Sequence, residues 1–277
     1  MEQNIIIEVN KLRQFIDTHP KLTILTGAGI SSESGIPTYR DREGNWLASQ
    51  PITHQEFISH EIKRKRYWIR SLSGWPVIRD ASPNIGHNVL ALLEIQDKIS
   101  LLITQNVDRL HQKAGSTSVL DLHGRIDKVI CVNCKLPIAR QEIQDWLISK
   151  NPEIKIDHLE AKPDGDASLS QGLNYTAFKI PSCNECGGIL KPDVVFFGGT
   201  IPKERYERGR EAILASDALL VIGSSLQVYS GYSFCRFAKD HRKPIVILND
   251  GPTRADQMAL LKCEDDCQRL LRDYTLT

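Results

Sequence analysis

The sequence lacks the features that mark several classes of protein. It has no apolar run near the roughly 20 residues that a membrane-spanning helix needs, and no internal repeat or low-complexity linker. Lys and Arg number 35 and Asp and Glu 34, so the net charge of +1 gives no excess of either sign. That balance argues against bulk nucleic acid or an acidic membrane surface as the main partner. We also expect neither a secretory signal nor a transit peptide, because the first residues include Glu2 and Glu8 and no small-residue cleavage site.

What is present is typical of a soluble globular protein in a reducing compartment. The 277 residues are 41% apolar and 25% charged, close to the soluble average. A chain of this length buries a core without disulfide bonds. The cysteines number seven, and four of them fall in two C-x-x-C pairs, which favours metal binding over a disulfide framework. We therefore expect a cytoplasmic protein.

Apolar, β-branched runs alternate with segments of helical periodicity along much of the chain. Buried strands are predicted for KLTILTGAGI, ISLLITQN, DVVFFGG, DALLVIGSS and KPIVILND, and helices for 203–215, 231–240 and the tail over 255–272. The alternation predicts an α/β fold with a doubly wound, Rossmann-like parallel sheet covered on both faces. Several of these strands end in glycine or polar residues, so we expect one shared crevice at the carboxyl edge of the sheet.

The region over 131–190 changes character and contains both cysteine pairs. Cys131 and Cys134 form the first pair and Cys183 and Cys186 the second, with 48 residues between the pairs. Four thiolates at this spacing favour a closed, structural zinc site, and a redox-active C-x-x-C is the competing interpretation. Little hydrophobic periodicity is present between 150 and 180, which predicts an inserted module with a long loop.

Glycine-rich and polar motifs follow one another from the first strand to the tail. In order they are TGAGISSESGIPTYR at 26–40, TQNVD at 104–108, LHG at 122–124, KPDVVFFG at 191–198 and GSSL at 223–226, with Asn249 after them. This series resembles the signature of the sirtuins, the NAD-dependent protein deacylases, over nearly the whole chain. RYWIRSLSGWP, PDGD and GSSLQVYSGY are similar to class II of that family, which carries an extra loop between the cysteine pairs.

The resemblance implies a single catalytic domain over 1–277 with two parts. The Rossmann-like part is expected at 1–40, 86–124 and 191–277. A smaller domain is expected from two insertions, a helical segment with the cofactor loop at 41–85 and the zinc module with the class II loop at 125–190.

The resemblance also implies an activity, in which the acyl group of a modified lysine passes to the ADP-ribose of NAD. The products are nicotinamide, O-acyl-ADP-ribose and free lysine. His123 is the expected base, because an imidazole can accept a proton at neutral pH, and Asn106 and Asp108 complete the catalytic set. NAD and zinc are the implied cofactors. Acylated lysine proteins or peptides are the implied partners of a monomer, with no direct role for nucleic acid or a membrane.

The resemblance assigns ligand roles residue by residue. The implied cofactor-binding residues are Gly27, Ala28, Gly29, Ile36, Arg40, Gln105, Asn106, Val107, Asp108, Gly223, Ser224, Ser225, Asn249, Asp250, Gly251 and Cys267. The implied substrate residues are Tyr67 and Arg70, as a carboxylate-binding pair for acidic acyl groups, and Val194, Val195 and Phe197, as a strand that pairs with the substrate peptide.

Two other classes of function are alternatives, and the first of them would use the same crevice. One is mono-ADP-ribosyl transfer to an acceptor side chain, and the other is a non-catalytic NAD sensor or zinc-dependent interaction module. The chain departs from common sirtuin sequences at Gly199, at Ser224 and at Tyr229-Ser230. These departures agree with class II and favour longer or unusual acyl groups, or weak ADP-ribosyl transfer, over plain deacetylation.

Overall fold

Two sheets of different strand orientation organise the described part of the chain. The computed structural model describes residues 2–43, 45, 47, 51–154 and 176–276. Its strands are β1 Leu22–Thr26, β2 Ile99–Thr104, β3 Val119–Asp121, β4 Gly124–Cys131, β5 Pro137–Ala139, β6 Leu190–Val194, β7 Ala218–Ile222, β8 Ile245–Leu248 and β9 Leu261–Cys263. Its α-helices are α1 Glu2–Thr18, α2 His54–Ser59, α3 Glu61–Asp80, α4 Ile85–Ile95, α5 Leu110–Lys113, α6 Arg140–Lys150, α7 Lys203–Ala215, α8 Tyr229–Asp240 and α9 Cys267–Leu276.

The larger sheet is parallel throughout, in the order β3-β2-β1-β7-β8-β9. All five residues of β1 are buried, as expected for a central strand covered on both faces. Thr26 pairs with Thr104 on one side and with Ile222 on the other, so the carboxyl ends of β1, β2 and β7 lie level. This register brings the polar residues that follow the three strands to one edge.

Helices cover the parallel sheet on both faces. One apolar cluster joins the sheet to α1, α4 and α9 through residues such as Leu12, Leu90 and Leu270. A second cluster joins it to α7 and α8 through Ile213 and Phe234. The predicted doubly wound α/β fold is therefore confirmed. Within the described residues, no helix combines the length and the apolar character that a membrane span requires.

The smaller sheet is antiparallel, in the order β5-β4-β6, and packs with α3 and α6 around its own apolar cluster. The sequence of α3 shows no clean apolar period, although the helix has 20 residues. The reason is that it is buried on more than one side: the consecutive residues Tyr67, Trp68 and Ile69, which point in different directions from a helix, all lie inside the cluster. A helix surrounded by protein does not need a polar stripe.

The strand predicted over 193–199 begins earlier and ends earlier than expected. β6 covers Leu190–Val194 and belongs to the smaller sheet, where it pairs with β4. The boundary predicted at 191 between the two parts therefore falls inside a strand. The backbone after β6 continues toward the larger sheet, and the Val195 amide donates a hydrogen bond to the His123 carbonyl at 2.8 Å.

The helix predicted over 255–272 is wrong in its first half. Asp256–Met258 form a short 3-10 helix, Leu261–Cys263 form β9, and α9 begins only at Cys267. Cys263 pairs with Leu248 and is fully buried, so the edge of the sheet draws this segment into a strand. Most of the predicted class II loop, including PDGD, spans 155–175 and lies outside the described residues.

Candidate active site

A cleft of about 530 Å³ runs along the carboxyl edge of the parallel sheet and is lined by both sheets. This volume lies within the roughly 300–1,000 Å³ that is usual for small-molecule and cofactor sites. The residues that follow β1, β2, β7 and β8 all contribute to its wall, as the shared crevice requires. The site residues named from the sequence that line it are Gly27, Ala28, Gly29, Arg40, Gln105, Asn106, Val107, His123, Val194, Val195, Phe197, Gly223, Ser224, Ser225, Asn249, Asp250 and Cys267.

The glycines after β1 are required by the close approach of two loops. A Cβ added at Gly27 would lie 2.7 Å from the Cβ of Ser224, and one added at Gly29 would lie 2.9 Å from the Cα of Gly223. The Gly29 amide also donates to the Gly223 carbonyl at 2.9 Å. The resemblance implies a cofactor-binding role for both glycines, but protein packing alone already requires them. The packed loops form one wall of the cleft.

His123 lies in the turn between β3 and β4, half-buried in the cleft wall. Its Nδ1 lies 2.9 Å from the Gln105 carbonyl oxygen, which can only accept a hydrogen bond. The neutral ring therefore carries its proton on Nδ1 and keeps a lone pair on Nε2. Burial lowers the pKa of His123 below its ordinary value, and the bond to Gln105 partly opposes this. The ring is thus a neutral base with a fixed tautomer at neutral pH.

The Nε2 atom of His123 has a protein partner that sequence reasoning missed. The Ser230 hydroxyl lies 2.8 Å from Nε2 and donates to its lone pair. Ser230 belongs to the first turn of α8 and stood out in the sequence only as a departure from other sirtuins. Its hydroxyl occupies the position from which a substrate hydroxyl would give up its proton.

Gln105 and Asn106 hold the ends of β1, β2 and β7 together. The Gln105 side-chain amide donates to the Ser224 hydroxyl at 2.9 Å. The Asn106 side-chain amide donates to the Gly27 carbonyl at 3.0 Å and to the Ser31 hydroxyl at 3.1 Å. Each side chain therefore uses its donor on the protein and keeps its amide oxygen available to the cleft.

A side pocket of about 30 Å³ adjoins the cleft and contains Ile36 and Asp108, two predicted cofactor residues that do not line the cleft itself. It shares Gln105, Asn106 and Val107 with the cleft. The Asp108 carboxylate accepts from the Ser31 hydroxyl at 2.7 Å and from the Leu110 amide at 2.9 Å. Burial raises the pKa of Asp108, and these two hydrogen bonds oppose that effect.

Asp108 caps a helix and also lines the side pocket. One oxygen caps the amide of Leu110 at the start of α5, while the other faces Ser31 inside the pocket. Ser31 is itself buried and also touches Asn106, so it orders both catalytic candidates. Nothing in the SSES run singled it out among neighbouring serines.

Polar groups at the far end of the cleft come from the loops after β7 and β8. Ser225, Asn249 and Asp250 line the cleft, and the Asp250 carboxylate pairs with Arg42 at 3.0 Å. Gly251 lies outside the lining, where its carbonyl accepts from the Asn249 side chain at 3.1 Å. Cys267 reaches the cleft from the start of α9, and its pKa is raised to about 12 by burial, so its thiol is neutral.

The four predicted metal ligands come together at the tip of the smaller sheet. Their sulfur atoms all lie within 4.8 Å of one another. Sγ of Cys131 is 3.5 Å from that of Cys186, and Sγ of Cys134 is 3.6 Å from that of Cys183. Zinc bound tetrahedrally at about 2.3 Å places sulfur atoms roughly 3.8 Å apart, so the four thiols fit this metal. Four protein ligands would leave no open position on the metal, as is usual for a structural zinc site.

The predicted substrate residues divide into two groups. Val194, Val195 and Phe197 line the cleft close to His123. Tyr67 and Arg70 do not line it: the Tyr67 ring is 4% exposed and packs on Phe196, a cleft residue, at 5.2 Å between centroids. The carboxylate-binding role of this pair stays a prediction, since the structure sets Tyr67 among aromatic rings.

Comparison with known proteins agrees with this geometry. The model of the Sir2 family matches residues 27–230. The NAD-dependent protein deacetylase 2 of Bradyrhizobium diazoefficiens is 48% identical over 261 residues, which cover 94% of this chain and 95% of that protein. A Sir2 structure solved with a p53 peptide and NAD+ has a TM-score of 0.76 at 28% identity and covers 96% of both chains. Sir2Tm bound to a propionylated peptide has a TM-score of 0.77 at 27% identity, over 97% of this chain and 98% of that one.

The parallel sheet, the cleft at its carboxyl edge and the separate four-cysteine module define an α/β protein of the NAD-binding type. The family match spans most of the sequence, and the bacterial relative shares nearly half of its residues with this chain. The chain belongs to the Sir2 family, and the resemblance seen in the sequence is confirmed. Its assignment to class II remains a prediction.

Proposed function

We propose that this protein is an NAD-dependent protein lysine deacylase that transfers the acyl group to ADP-ribose. The products are nicotinamide, O-acyl-ADP-ribose and free lysine. The observation that carries the proposal is the His123 imidazole, which the Gln105 carbonyl fixes with its basic Nε2 in the cleft.

The residues of the cleft fit NAD. Ser225 and Asn249 offer hydroxyl and amide groups at one end, and Arg40 adds a guanidinium that can bind two phosphate oxygens. At the other end the side pocket pairs the apolar Ile36 with the Asp108 carboxylate, which suits a flat ring with an amide group. Bound NAD supplies the ADP-ribose acceptor and the nicotinamide leaving group.

His123 performs the proton transfer in this proposal. Because burial lowers its pKa, the ring is neutral at neutral pH and its Nε2 accepts a proton from a ribose hydroxyl. The Nδ1–H group of the resulting imidazolium still donates its hydrogen bond to the Gln105 carbonyl. This bond is now charge-assisted and stabilises the new positive charge. The incoming hydroxyl replaces Ser230 on Nε2, since both need the same lone pair.

The substrate peptide is proposed to enter as an added strand beside the segment that follows β6. Val194, Val195 and Phe197 lie on one side of the cleft, and 226–229 lie in its wall as well. Extended peptides commonly bind in this way, with backbone hydrogen bonds for affinity and side-chain pockets for specificity. The acyl-lysine then points toward His123.

The experiment that tests the proposal is nicotinamide release from NAD against a panel of peptides. The panel carries acetyl, succinyl, glutaryl, long-chain and lipoyl groups on lysine, and mass spectrometry identifies the products. Peptide-dependent release with O-acyl-ADP-ribose is the expected result and names the acyl class. Release with ADP-ribose attached to a protein side chain would replace the proposal with ADP-ribosyl transfer. NAD binding without any release would leave only a sensor.

The setting proposed for this activity is the cytoplasm, with the protein as a monomer and with neither nucleic acid nor a membrane as a partner. Four of the seven cysteines fall in two C-x-x-C pairs, a usage that favours a metal site in a reducing compartment over a disulfide framework. The nearly balanced charge supports the exclusion of the two polyanionic partners. Light scattering of the purified protein during gel filtration measures the oligomeric state.

A further inference from the structure

A cationic and aromatic surface adjoins the cleft at the start of α8. It consists of Tyr229, Tyr232, Arg236 and Arg254, and we call it the arginine–tyrosine surface. The first three share one face of α8, because residues three and four positions apart are neighbours on a helix. Arg254 joins them from the loop after β8, where its backbone amide donates to the Ser225 carbonyl at 3.0 Å. Tyr229 is 55% exposed and also lines the cleft.

Aromatic contacts hold both guanidinium groups in place. The Arg254 guanidinium carbon lies 4.2 Å from the centroid of the Tyr232 ring and 5.8 Å from that of Tyr229. Arg236 donates from Nη1 to the Tyr229 hydroxyl at 3.3 Å. A guanidinium stacked on a ring keeps its N–H edges free and loses less conformational freedom when it forms further hydrogen bonds.

Neither of these arginines has an anionic partner among the described residues. Both are exposed, and no carboxylate of the described residues forms an ion pair with either one. Elsewhere on the surface arginines do find carboxylates, as Arg42 does with Asp250 at 3.0 Å and Arg272 with Glu33 at 3.3 Å. The arginine–tyrosine surface is therefore a preorganised anion-binding surface whose complement is supplied from outside the described chain.

We propose that the arginine–tyrosine surface selects acyl-lysine substrates that carry an Asp or Glu close to the modified lysine. The proposal rests on the proposed function and names its substrate class, a protein segment with acidic rather than basic flanking residues. Tyr229 links the surface to the cleft wall, so a peptide seated with its acyl-lysine near His123 passes beside both arginines. A carboxylate on that peptide can accept two parallel N–H bonds from one guanidinium.

The expected effect is moderate, because the pairs are exposed. A surface ion pair contributes about 0.2–1 kcal/mol, so each arginine should change kcat/KM by roughly 1.4- to 5-fold. The effect should appear in KM for the peptide and should weaken as salt is added. KM for NAD should stay the same, since the charges act on the peptide.

The experiment compares peptides that share one acyl-lysine and differ only in a flanking residue. Ala, Asp or Lys is placed in turn at successive positions on either side of the lysine, and kcat/KM is measured for the full-length protein. We expect Asp to exceed Ala and Ala to exceed Lys at one or more positions. In Arg254→Glu that order should reverse at those positions. In the double variant Arg236→Gln with Arg254→Gln, kcat/KM should become similar for the three peptides.

Arg210→Gln provides the matched control. The Arg210 guanidinium also stacks on an aromatic ring, 4.2 Å from the centroid of Phe237, but neither of these two residues lines the cleft. Arg236 and Arg254 both contact the cleft residue Tyr229, so Arg210→Gln should keep the wild-type order. Three results would each overturn the inference while deacylation stands. They are equal rates of the wild-type protein on all three peptides, an unchanged order of the peptides in Arg254→Glu, and a change confined to KM for NAD. Absence of nicotinamide release with every peptide would instead overturn the proposed function itself.

Discussion

The parallel sheet and the four-cysteine module differ in what holds them together. The strands of the parallel sheet are buried on both faces by separate apolar clusters, so hydrophobic burial dominates there. The smaller sheet has one apolar cluster, and its tip is closed by four sulfur atoms instead of side-chain packing. The parallel-sheet part is thus stabilised by hydrophobic burial and the four-cysteine module by metal binding. A substitution can therefore unfold one part without directly unfolding the other.

Loss of one sulfur should produce the largest effect. In Cys131→Ser we expect loss of the zinc and unfolding of the module, because zinc contributes about 10–16 kcal/mol of apparent binding energy in small zinc domains at neutral pH. Metal analysis and hydrogen exchange followed by mass spectrometry measure the two parts separately. The module should exchange fast while β1 and β7 stay protected. Cys235→Ala, a buried cysteine outside the cluster, should keep the metal. Full metal content in Cys131→Ser would contradict a four-sulfur site.

Removal of the base should abolish turnover without unfolding either part. We expect His123→Ala to lower the rate of nicotinamide release by about 10²–10⁴-fold, the usual contribution of a general base. NAD binding, metal content and the melting temperature should remain near those of the wild type, because the ring is half-buried at the cleft wall. An active variant would assign the proton transfer to another group.

A methyl group at Gly223 should damage the parallel-sheet side of the cleft alone. Its φ is +61° and an added Cβ would lie 2.5 Å from the Ile30 amide nitrogen, so Gly223→Ala adds a clash to the backbone strain. The strain alone costs about 1–2 kcal/mol. Gly115→Ala is the control, since Gly115 has a φ of +104° but open space around it. NAD affinity measured by calorimetry should fall only in Gly223→Ala, and equal losses in both variants would deny the loop contact a role.

The smallest of these effects should be that of mild acid, which should lower the free energy of unfolding of the parallel-sheet part. Burial lowers the pKa of His87 from 6.5 to about 4, and it lowers that of His111 as well. Between these pH values the two histidines are protonated in the unfolded chain but stay neutral in the folded chain. The free energy of unfolding therefore falls as the pH drops from 6.5 toward about 4. His87→Gln should lower stability at every pH, because His87 contacts the cap of α4, but it should flatten the slope. Urea titrations across that window test the slope, and an unchanged slope would contradict the shift.

Much of the parallel-sheet part can be predicted from the sequence because its signals are local. The apolar runs of β1, β2, β7 and β8 end in glycine or polar residues, and parallel pairing brings those ends to one edge. β9 could not be predicted, since its three residues gain their strand conformation only from pairing with β8. The burial of α3 on several sides likewise removed the periodicity that would have identified it.

The site shows the same limit at the level of single side chains. The sequence motifs predicted that His123, Gln105 and Asn106 lie in the cleft. They did not indicate the contact between His123 and Ser230, which depends on how α8 approaches the turn after β3. Tyr67 stands in a motif-like position, yet its aromatic neighbours come from α2 and from the segment after β6. Contacts between distant segments decide both cases.

His123 belongs to neither sheet, since it occupies the turn between the last residue of β3 and the first of β4. Its ring is tied to the parallel sheet through the Gln105 carbonyl, and its own carbonyl is tied to the segment after β6 through Val195. These two hydrogen bonds fix the position of His123. The segment between His123 and Val195 can therefore become longer or shorter without moving the base. The length and sequence of the 48 residues between the cysteine pairs can therefore change in evolution while His123 keeps its place.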